Sequence, residues 1–263
     1  MIDLALLTDK VRKLAIETGA FIRNERKKFL RERVEKKHAH DYVSYVDKES
    51  EKRIVAFLAE LLPEAGFIAE EGSATLTDEP YCWLVDPLDG TTNFIHDNAP
   101  YCVSIALRSK EELLLGVVYE ICRDECYWTY KGAPSFLNGE VICVSSVDTL
   151  DDAFIAMGFP YNAEAAYKPL ALTLVNECYG NVAGLRLMGA AAAELCYVAA
   201  GRFDARVEAF IGPWDIAAGV LILQNAGGMV TDFKGGDEFY SGHQVLASNG
   251  KIHNFLLNII EGR

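Results

Sequence analysis

Acidic side chains, one backbone carbonyl and a run of helix-opening amides stand close together in one stretch of this 263-residue chain. Trp83-Leu84-Val85-Asp86-Pro87-Leu88-Asp89-Gly90-Thr91-Thr92-Asn93-Phe94 reads as a buried strand that runs into a carboxylate-bearing turn and then a helix start. Hard divalent cations take oxygen ligands such as Asp86, Asp89 and the Leu88 carbonyl. A phosphate takes the exposed N–H groups at a helix N-terminus. The pattern therefore proposes magnesium-dependent chemistry on a phosphate.

Further acids sit at element ends. Glu70-Glu71 closes another strand-like run before Gly72, and only one of the two can face a shared site. Asp215 follows Trp214 at a helix start, and Asp47 stands where another helix begins. Each has an ordinary structural account: Asp-Pro-x-Asp-Gly is a good turn sequence, and Asp is a common helix cap. For the turn, the balance shifts because a buried strand precedes it and Gly90-Thr91-Thr92 follows, offering amides and a hydroxyl.

The elements that must position these residues follow from periodicity. Leu4, Leu7, Val11, Leu14 and Ile22 predict a long amphipathic helix over Ile2–Leu30, whose later charge run, Arg23 to Lys37, reads as a solvated helix face and a loop. Tyr42–Val46 alternates as a short strand, with Asp47 as the cap of a helix carrying Ile54, Phe57, Leu58 and Leu61 and stopped by Pro63 and Gly66. Strand-like runs at 66–69, 81–85, 101–107, 113–119 and 125–130 predict an antiparallel sheet. Gly132–Gly139 reads as a loop with one more strand near Val141. From about Asp148 the pattern becomes α/β: strands at 153–157, 184–187, 203–207, 228–231 and 244–247, and helices at 163–178, 190–200, 214–225 and up to Ile260. The division is into residues 1–147, an α+β part with most of the acids, and 148–263, an α/β part with Asp215. The cleft is expected between them.

Composition narrows the partners. A formal charge of −13 and a pI near 4.9 disfavour nonspecific binding to nucleic acid or an anionic membrane, so local cations must draw in an anionic substrate. No apolar run reaches the roughly 18 residues of a membrane span, and the N-terminus is too charged for a secretory signal, which predicts a cytoplasmic protein. Seven scattered cysteines without a C-x-x-C pair read as reduced thiols, and Cys122 and Cys126 lack the partners of a zinc site. None of the five histidines falls in the motif stretches; His96 is expected on the loop after the first. Gly235-Gly236, lacking a P-loop lysine, reads as a turn.

Asp86-Pro87-Leu88-Asp89-Gly90-Thr91-Thr92-Asn93-Phe94 closely resembles the first signature of the inositol monophosphatase family. Trp214-Asp215-Ile216-Ala217-Ala218-Gly219, with Ala226-Gly227-Gly228 after it, resembles the second. Asp41–Asp47, Ile68–Glu71 and Gly116–Tyr119 match in family order, so the resemblance covers nearly the whole chain. It implies a layered αβαβα sandwich of the sugar-phosphatase type, an antiparallel N-terminal sheet with a smaller α/β C-terminal part, assembled as a homodimer.

The resemblance also implies roles. Glu70, Asp86 and the Leu88 carbonyl would hold one Mg²⁺; Asp86, Asp89 and Asp215 would hold a second; Glu70 would help bind a third through water. Thr91, oriented by Asp47, would relay the proton of the attacking water. Asp89, Gly90, Thr91, Gly189, Ala190, Ala191 and Glu208 would line the substrate, with the Gly90 and Thr91 amides on phosphate and Glu208 on ring hydroxyls. Thr92-Asn93-Phe94 matches the inositol branch, whereas relatives acting on 3′-phosphoadenosine 5′-phosphate carry Lys-Glu-Phe. One departure stands out: Gly189 is followed by Ala190 where the family has Ser or Thr. The expected activity is hydrolysis of a small phosphate monoester, myo-inositol monophosphate first, inhibited by Li⁺. The alternatives are 3′-phosphoadenosine 5′-phosphate, fructose 1,6-bisphosphate or histidinol phosphate as substrate, or a regulatory role with RNA or transcription machinery.

Overall fold

The computed structural model describes residues 2–29, 34–38, 41–72, 79–159 and 167–262. In chain order the elements are α1 (Leu4–Arg26), β1 (Val34–His38), β2 (Asp41–Ser44), α2 (Tyr45–Leu61), β3 (Ala65–Ala69), β4 (Tyr81–Asp89), α3 (Thr91–His96), β5 (Cys102–Ser109), β6 (Leu113–Glu120), β7 (Glu125–Tyr130), β8 (Phe136–Leu137) and β9 (Glu140–Val141). They continue with β10 (Phe154–Gly158), α4 (Lys168–Cys178), β11 (Gly184–Arg186), α5 (Ala191–Ala199), β12 (Ala205–Ala209), α6 (Pro213–Asn225), β13 (Met229–Thr231), α7 (Phe239–Gly242), β14 (Gln244–Ser248) and α8 (His253–Glu261).

Alternation along the strands generates the layers, because successive side chains point to opposite faces. Trp83, Val85, Val103, Ile105, Val117 and Tyr119 face Leu7, Val11, Leu14, Ile54 and Leu58 of α1 and α2. Leu84, Ala106 and Val118, from the other face of the same strands, meet α5 and α6. Those two helices are apolar on most of their surface, as a middle layer requires, with Glu194 on α5 and Asp215 at the start of α6 as acids. Ala156, Val245 and Ala247 close the layer from the second sheet, whose far face packs Ile155, Met157, Val207 and Leu246 on Leu174 of α4 and Leu256 of α8. The order is helices, sheet, helices, sheet, helices, which is the expected αβαβα sandwich.

The first sheet runs β3-β4-β5-β6-β7-β8-β9 and the second β11-β10-β12-β14-β13. The first is antiparallel as expected except at one edge, where β3 runs parallel to β4. Parallel pairing requires a crossover rather than a hairpin, and the chain between Ala69 and Tyr81 is long enough to return to the start of β4. The Gly132–Gly139 loop also carries the short β8.

Two boundaries at the N-terminus differ from expectation. The charge run was expected to end as a loop, but residues 34–38 pair antiparallel with β2; a partner strand overrides weak local propensity. The chain leaves the sheet at Ser44 rather than Val46. Ser44, not Asp47, is the cap of α2: its Oγ accepts the Val46 N–H at 3.1 Å, while Asp47 reaches back to the Ser44 N–H at 2.9 Å. A serine with an acid three residues later forms such a reciprocal box. His96 ends α3 instead of lying on the loop beyond it. The first residues of the expected 163–178 helix lie outside the described residues, and α4 covers the rest.

Candidate active site

The first motif is shaped by a bulge. On β4, Asp86 pairs with Ser104 and Asp89 with Cys102, so the step on β4 is one residue longer than on β5. Pro87 has no N–H to give a central strand, and a bulge is where a sheet tolerates it. Residues three apart on a regular strand face opposite sides; the extra residue brings Asp86 and Asp89 to the same side. Asp86 Oδ1 accepts the Leu88 N–H at 2.9 Å, which locks the turn. Gly90 follows at φ 88°, and a Cβ there would lie 3.0 Å from the Pro100 carbonyl and 3.1 Å from the Ala190 Cβ. Only glycine suits that backbone and that gap.

Glu70 reaches the site because β3 and β4 are parallel. Ala69 pairs with Val85, and the Glu70 N–H donates to the Val85 carbonyl at 3.2 Å, so Glu70 emerges beside Asp86. Antiparallel pairing would have carried it to the far end of β4. Glu51 of α2 supports the turn by accepting the Glu71 N–H at 2.7 Å. Asp215 arrives from the middle layer: α6 begins with Pro213, and Asp215 Oδ2 accepts the Gly212 N–H at 2.7 Å. Ser104, which pairs with Asp86, donates to the Trp214 carbonyl at 3.3 Å and ties the start of α6 to the sheet.

Burial raises the pKa of Asp86 well above the ordinary carboxylate range, and the neighbouring charges of Glu70, Asp89 and Asp215 push it the same way. Burial also raises Asp215, with Glu70 and Asp89 adding to the effect. Asp89 is raised by burial but held back by the Ala192 and Ala191 amides, the Cys102 thiol and the charge of Arg206. Among the described residues, no three His, Cys, Asp or Glu side chains stand grouped as a ready-made metal site. Glu70, Asp86, Asp89 and Asp215 nevertheless lie near enough for like charge to raise Asp86 and Asp215. Their mutual destabilisation and their all-oxygen chemistry fit a hard divalent cation.

Thr91 opens α3 with its hydroxyl 2.8 Å from Asp47 Oδ1 and 3.0 Å from the Leu88 carbonyl, so one proton has two acceptors. Asp47 is fully buried; burial raises its pKa, against the hydrogen bonds from Ser44 and Thr91 that lower it. Asn93 Nδ2 donates to the Pro100 carbonyl at 2.7 Å and to the Met188 carbonyl at 2.6 Å, which brings the 188–191 loop over α3.

That loop is held from within. Ala190, where α5 is capped, has no side-chain oxygen. Asp89 takes its place: Oδ1 accepts the Ala191 N–H at 3.0 Å and Oδ2 the Ala192 N–H at 2.7 Å. The Met188 and Gly189 N–H groups donate to Glu194 Oε1 at 2.9 and 3.1 Å. In this structure the Gly189 and Ala191 amides are thus engaged internally. Glu208 lies on β12 with its carboxyl pushed up to about 7, by burial and against the pull of Arg206.

Arg206 and Glu194 are residues that sequence reasoning missed. Arg206 is 1% exposed, its Nε 3.1 Å from Glu194 Oε2 and its Nη2 in contact with Glu208. A signal existed in the sequence. Glu194 is the one acid in the apolar run Ala190–Ala200, and Arg206 and Glu208 share one face of a strand. A buried charge calls for a partner.

The layered fold and the acids at the end of β4 fit a hydrolase of phosphoric monoesters, and the comparisons with known proteins agree. A family model described as "Inositol monophosphatase family" matches residues 3–262. The chain is 41% identical over 236 residues to the Nus factor SuhB of Pseudomonas aeruginosa, covering 87% of this chain and 86% of that one. It is 39% identical over 222 residues to the inositol-1-monophosphatase of Mesorhizobium japonicum, covering 84% and 83%. The crystal structure of the extragenic suppressor protein suhB from Bartonella henselae superposes with a TM-score of 0.89 at 34% identity, over 95% of this chain and 96% of that one. The chain belongs to the inositol monophosphatase family, whose members are generally metal-dependent.

Proposed function

We propose that this protein hydrolyses myo-inositol monophosphate, or a similar small polyol phosphate, with Mg²⁺. The observation that carries the reading is the meeting of Glu70, Asp86, Asp89 and Asp215 where β4 turns into α3. Glu70, Asp86 and the Leu88 carbonyl would hold one ion, and Asp86, Asp89 and Asp215 a second; Glu70 would share a third through water. Metal held by these residues would supply Lewis acidity for activating a water and for neutralising charge on the departing oxygen. Residues 1–147 would then furnish most of the ligands and 148–263 the substrate loop and Asp215.

The chain's own groups do the rest. The Gly90 and Thr91 N–H groups hold phosphate oxygens at the opening of α3. The attacking water gives a proton to Thr91 Oγ1 as the Thr91 proton moves to Asp47 Oδ1, whose raised pKa suits an acceptor. A bond forms from the water oxygen to phosphorus, and the bond to the alcohol oxygen breaks. The alcohol leaves with a proton from water beside Asp215. No phosphorylated side chain forms. Glu208 accepts from hydroxyls of the leaving alcohol, beside the loop at Gly189, Ala190 and Ala191.

The homodimer, the cytoplasmic location and Li⁺ inhibition belong to the same reading. No helix among the described residues is long and apolar enough to cross a membrane. A regulatory role with transcription machinery, the other reading of the sequence, has its own outcome: stoichiometric capture of RNA polymerase with no phosphatase activity. The net charge of −13 and the intact acid set favour the enzyme.

The test is a panel of phosphates with Mg²⁺: inositol 1-phosphate, glycerol 2-phosphate, fructose 1,6-bisphosphate, 3′-phosphoadenosine 5′-phosphate and histidinol phosphate, compared by kcat/KM. Inositol 1-phosphate should lead, and Asp89→Asn should cripple every turnover while the protein stays folded. Near-normal hydrolysis by Asp89→Asn would defeat the ligand assignment.

A further inference from the structure

The site contains a guanidinium that the hydrolysis described above does not use. Arg206 and Glu208 are two residues apart on β12 and share a face. Arg206 Nε lies 3.1 Å from Glu194 Oε2 and 3.4 Å from the Ala191 carbonyl, and Nη2 contacts Glu208 Oε2. Glu194 uses its other oxygen on the Met188 and Gly189 N–H groups. One planar side chain therefore joins β12, the first turns of α5 and the 188–191 loop.

This guanidinium is not an anion subsite. Glu194 and Glu208 touch it directly and already outweigh its single charge, and Asp89 and Asp215 add their fields. It is also expensive to keep. Nη1 is buried without a hydrogen-bond partner among the described residues, and an apolar side chain in place of a buried ion pair is often neutral or stabilising. What the arrangement achieves is placement. Glu208 Oε2 is taken by Arg206, which leaves Oε1 for another donor. Gly158, opposite Glu208 on β10, gives the carboxyl group its room: a Cβ there would stand 2.3 Å from Glu208 Oε1.

We propose that Arg206 is a positioning residue that fixes Glu208 and the 188–191 loop in one arrangement and thereby sets the preference for monoesters whose leaving alcohol carries further hydroxyls. The inference rests on the polyol phosphatase reading given above. A glutamate without this partner would have to be ordered by each substrate it binds, which weakens binding. A lysine keeps the charge but lacks the fork that reaches both acids.

The experiment uses the full chain with Mg²⁺ and measures kcat and KM for inositol 1-phosphate, glycerol 2-phosphate and p-nitrophenyl phosphate. Two variants are compared with the unmodified protein. Arg206→Met/Glu194→Gln removes both charges yet retains an oxygen for the loop amides; Arg206→Lys keeps the charge and guards against misfolding. In the double variant, KM for inositol 1-phosphate should rise about tenfold or more with a smaller change in kcat, so that its kcat/KM relative to p-nitrophenyl phosphate falls by a similar factor. Arg206→Lys should lie between. An equal loss on all three substrates, as a merely structural role predicts, or an unaltered ratio overturns the inference. The unmodified protein is measured first. Absence of any preference for polyol phosphates there would defeat the functional reading and this inference with it, a result distinct from preference retained in the variants.

Discussion

Asp86→Asn is expected to stabilise the metal-free protein while destroying its response to Mg²⁺. Asp86 is 1% exposed and shares its surroundings with Glu70, Asp89 and Asp215. Asparagine keeps an oxygen in place of Oδ1, so the Leu88 N–H retains its acceptor; only the charge is lost, and an amide donor now faces the other acids. Each unit by which burial raises a folded-state pKa corresponds to about 1.4 kcal/mol. Asp86 lies well above its ordinary value of 3.8, so removing its charge should make the metal-free fold more stable. Each kcal/mol so gained should raise Tm by roughly 2–4 °C in a chain of about this length. The direction with pH is fixed. A carboxyl group raised on folding supports the fold below the unfolded value of 3.8 and loses that support as pH rises through the folded value. The unmodified protein therefore carries the penalty once pH has risen through that window, and the variant escapes it. With Mg²⁺ the order reverses. An ion at a hundred times its Kd stabilises by about 2.7 kcal/mol, and the variant lacks the carboxylate assigned to both ions. Thermal melts in EDTA and in saturating Mg²⁺, on both proteins, provide the assay. A lower Tm for the variant in EDTA, or equal Mg²⁺ shifts in the two proteins, would refute the reasoning.

Two further outcomes test neighbouring parts of the structure. Thr91→Val removes the hydroxyl between Asp47 and the Leu88 carbonyl and should lower kcat by about 10²–10⁴. It also leaves Asp47 Oδ1 unpaired at a cost of about 1–3 kcal/mol, whereas Thr91→Ser preserves both; phosphate release that is equal in the two variants would remove Thr91 from the proton path. His253 is buried between Thr231 and Ser248, with its pKa pushed down to about 4 by burial. The folded protein then binds fewer protons than the unfolded one between that value and the ordinary 6.5. Its contribution is intact above the upper value and is lost as pH falls through the window, by on the order of 3 kcal/mol. Urea unfolding at several pH values should show a shallower acid loss in His253→Gln, and identical slopes would rule this source out.

What the amino-acid order determined by itself is whatever depends on neighbours a few residues away. The strand, turn and helix start around Asp86–Phe94, the amphipathic α1 and the alternation after Asp148 were legible because strand and helix periods write themselves into local spacing. The family signatures are of the same kind. The change of cap from Asp47 to Ser44 was also local, a reciprocal serine–acid pair that a single-residue rule overlooks. The tertiary structure decided which distant charges meet. Glu70 lies beside Asp86 because β3 runs parallel to β4, and a strand's direction leaves no trace in its own composition. Asp89 and Asp86 share a side because a bulge inserts one residue, and Asp89 caps α5 in place of a hydroxyl that Ala190 lacks. Arg206, Glu194 and Glu208 meet for the same reason. Pairing between separate segments is settled by burial and by satisfied backbone groups across the whole fold, and the electrostatics of the site follow from that pairing.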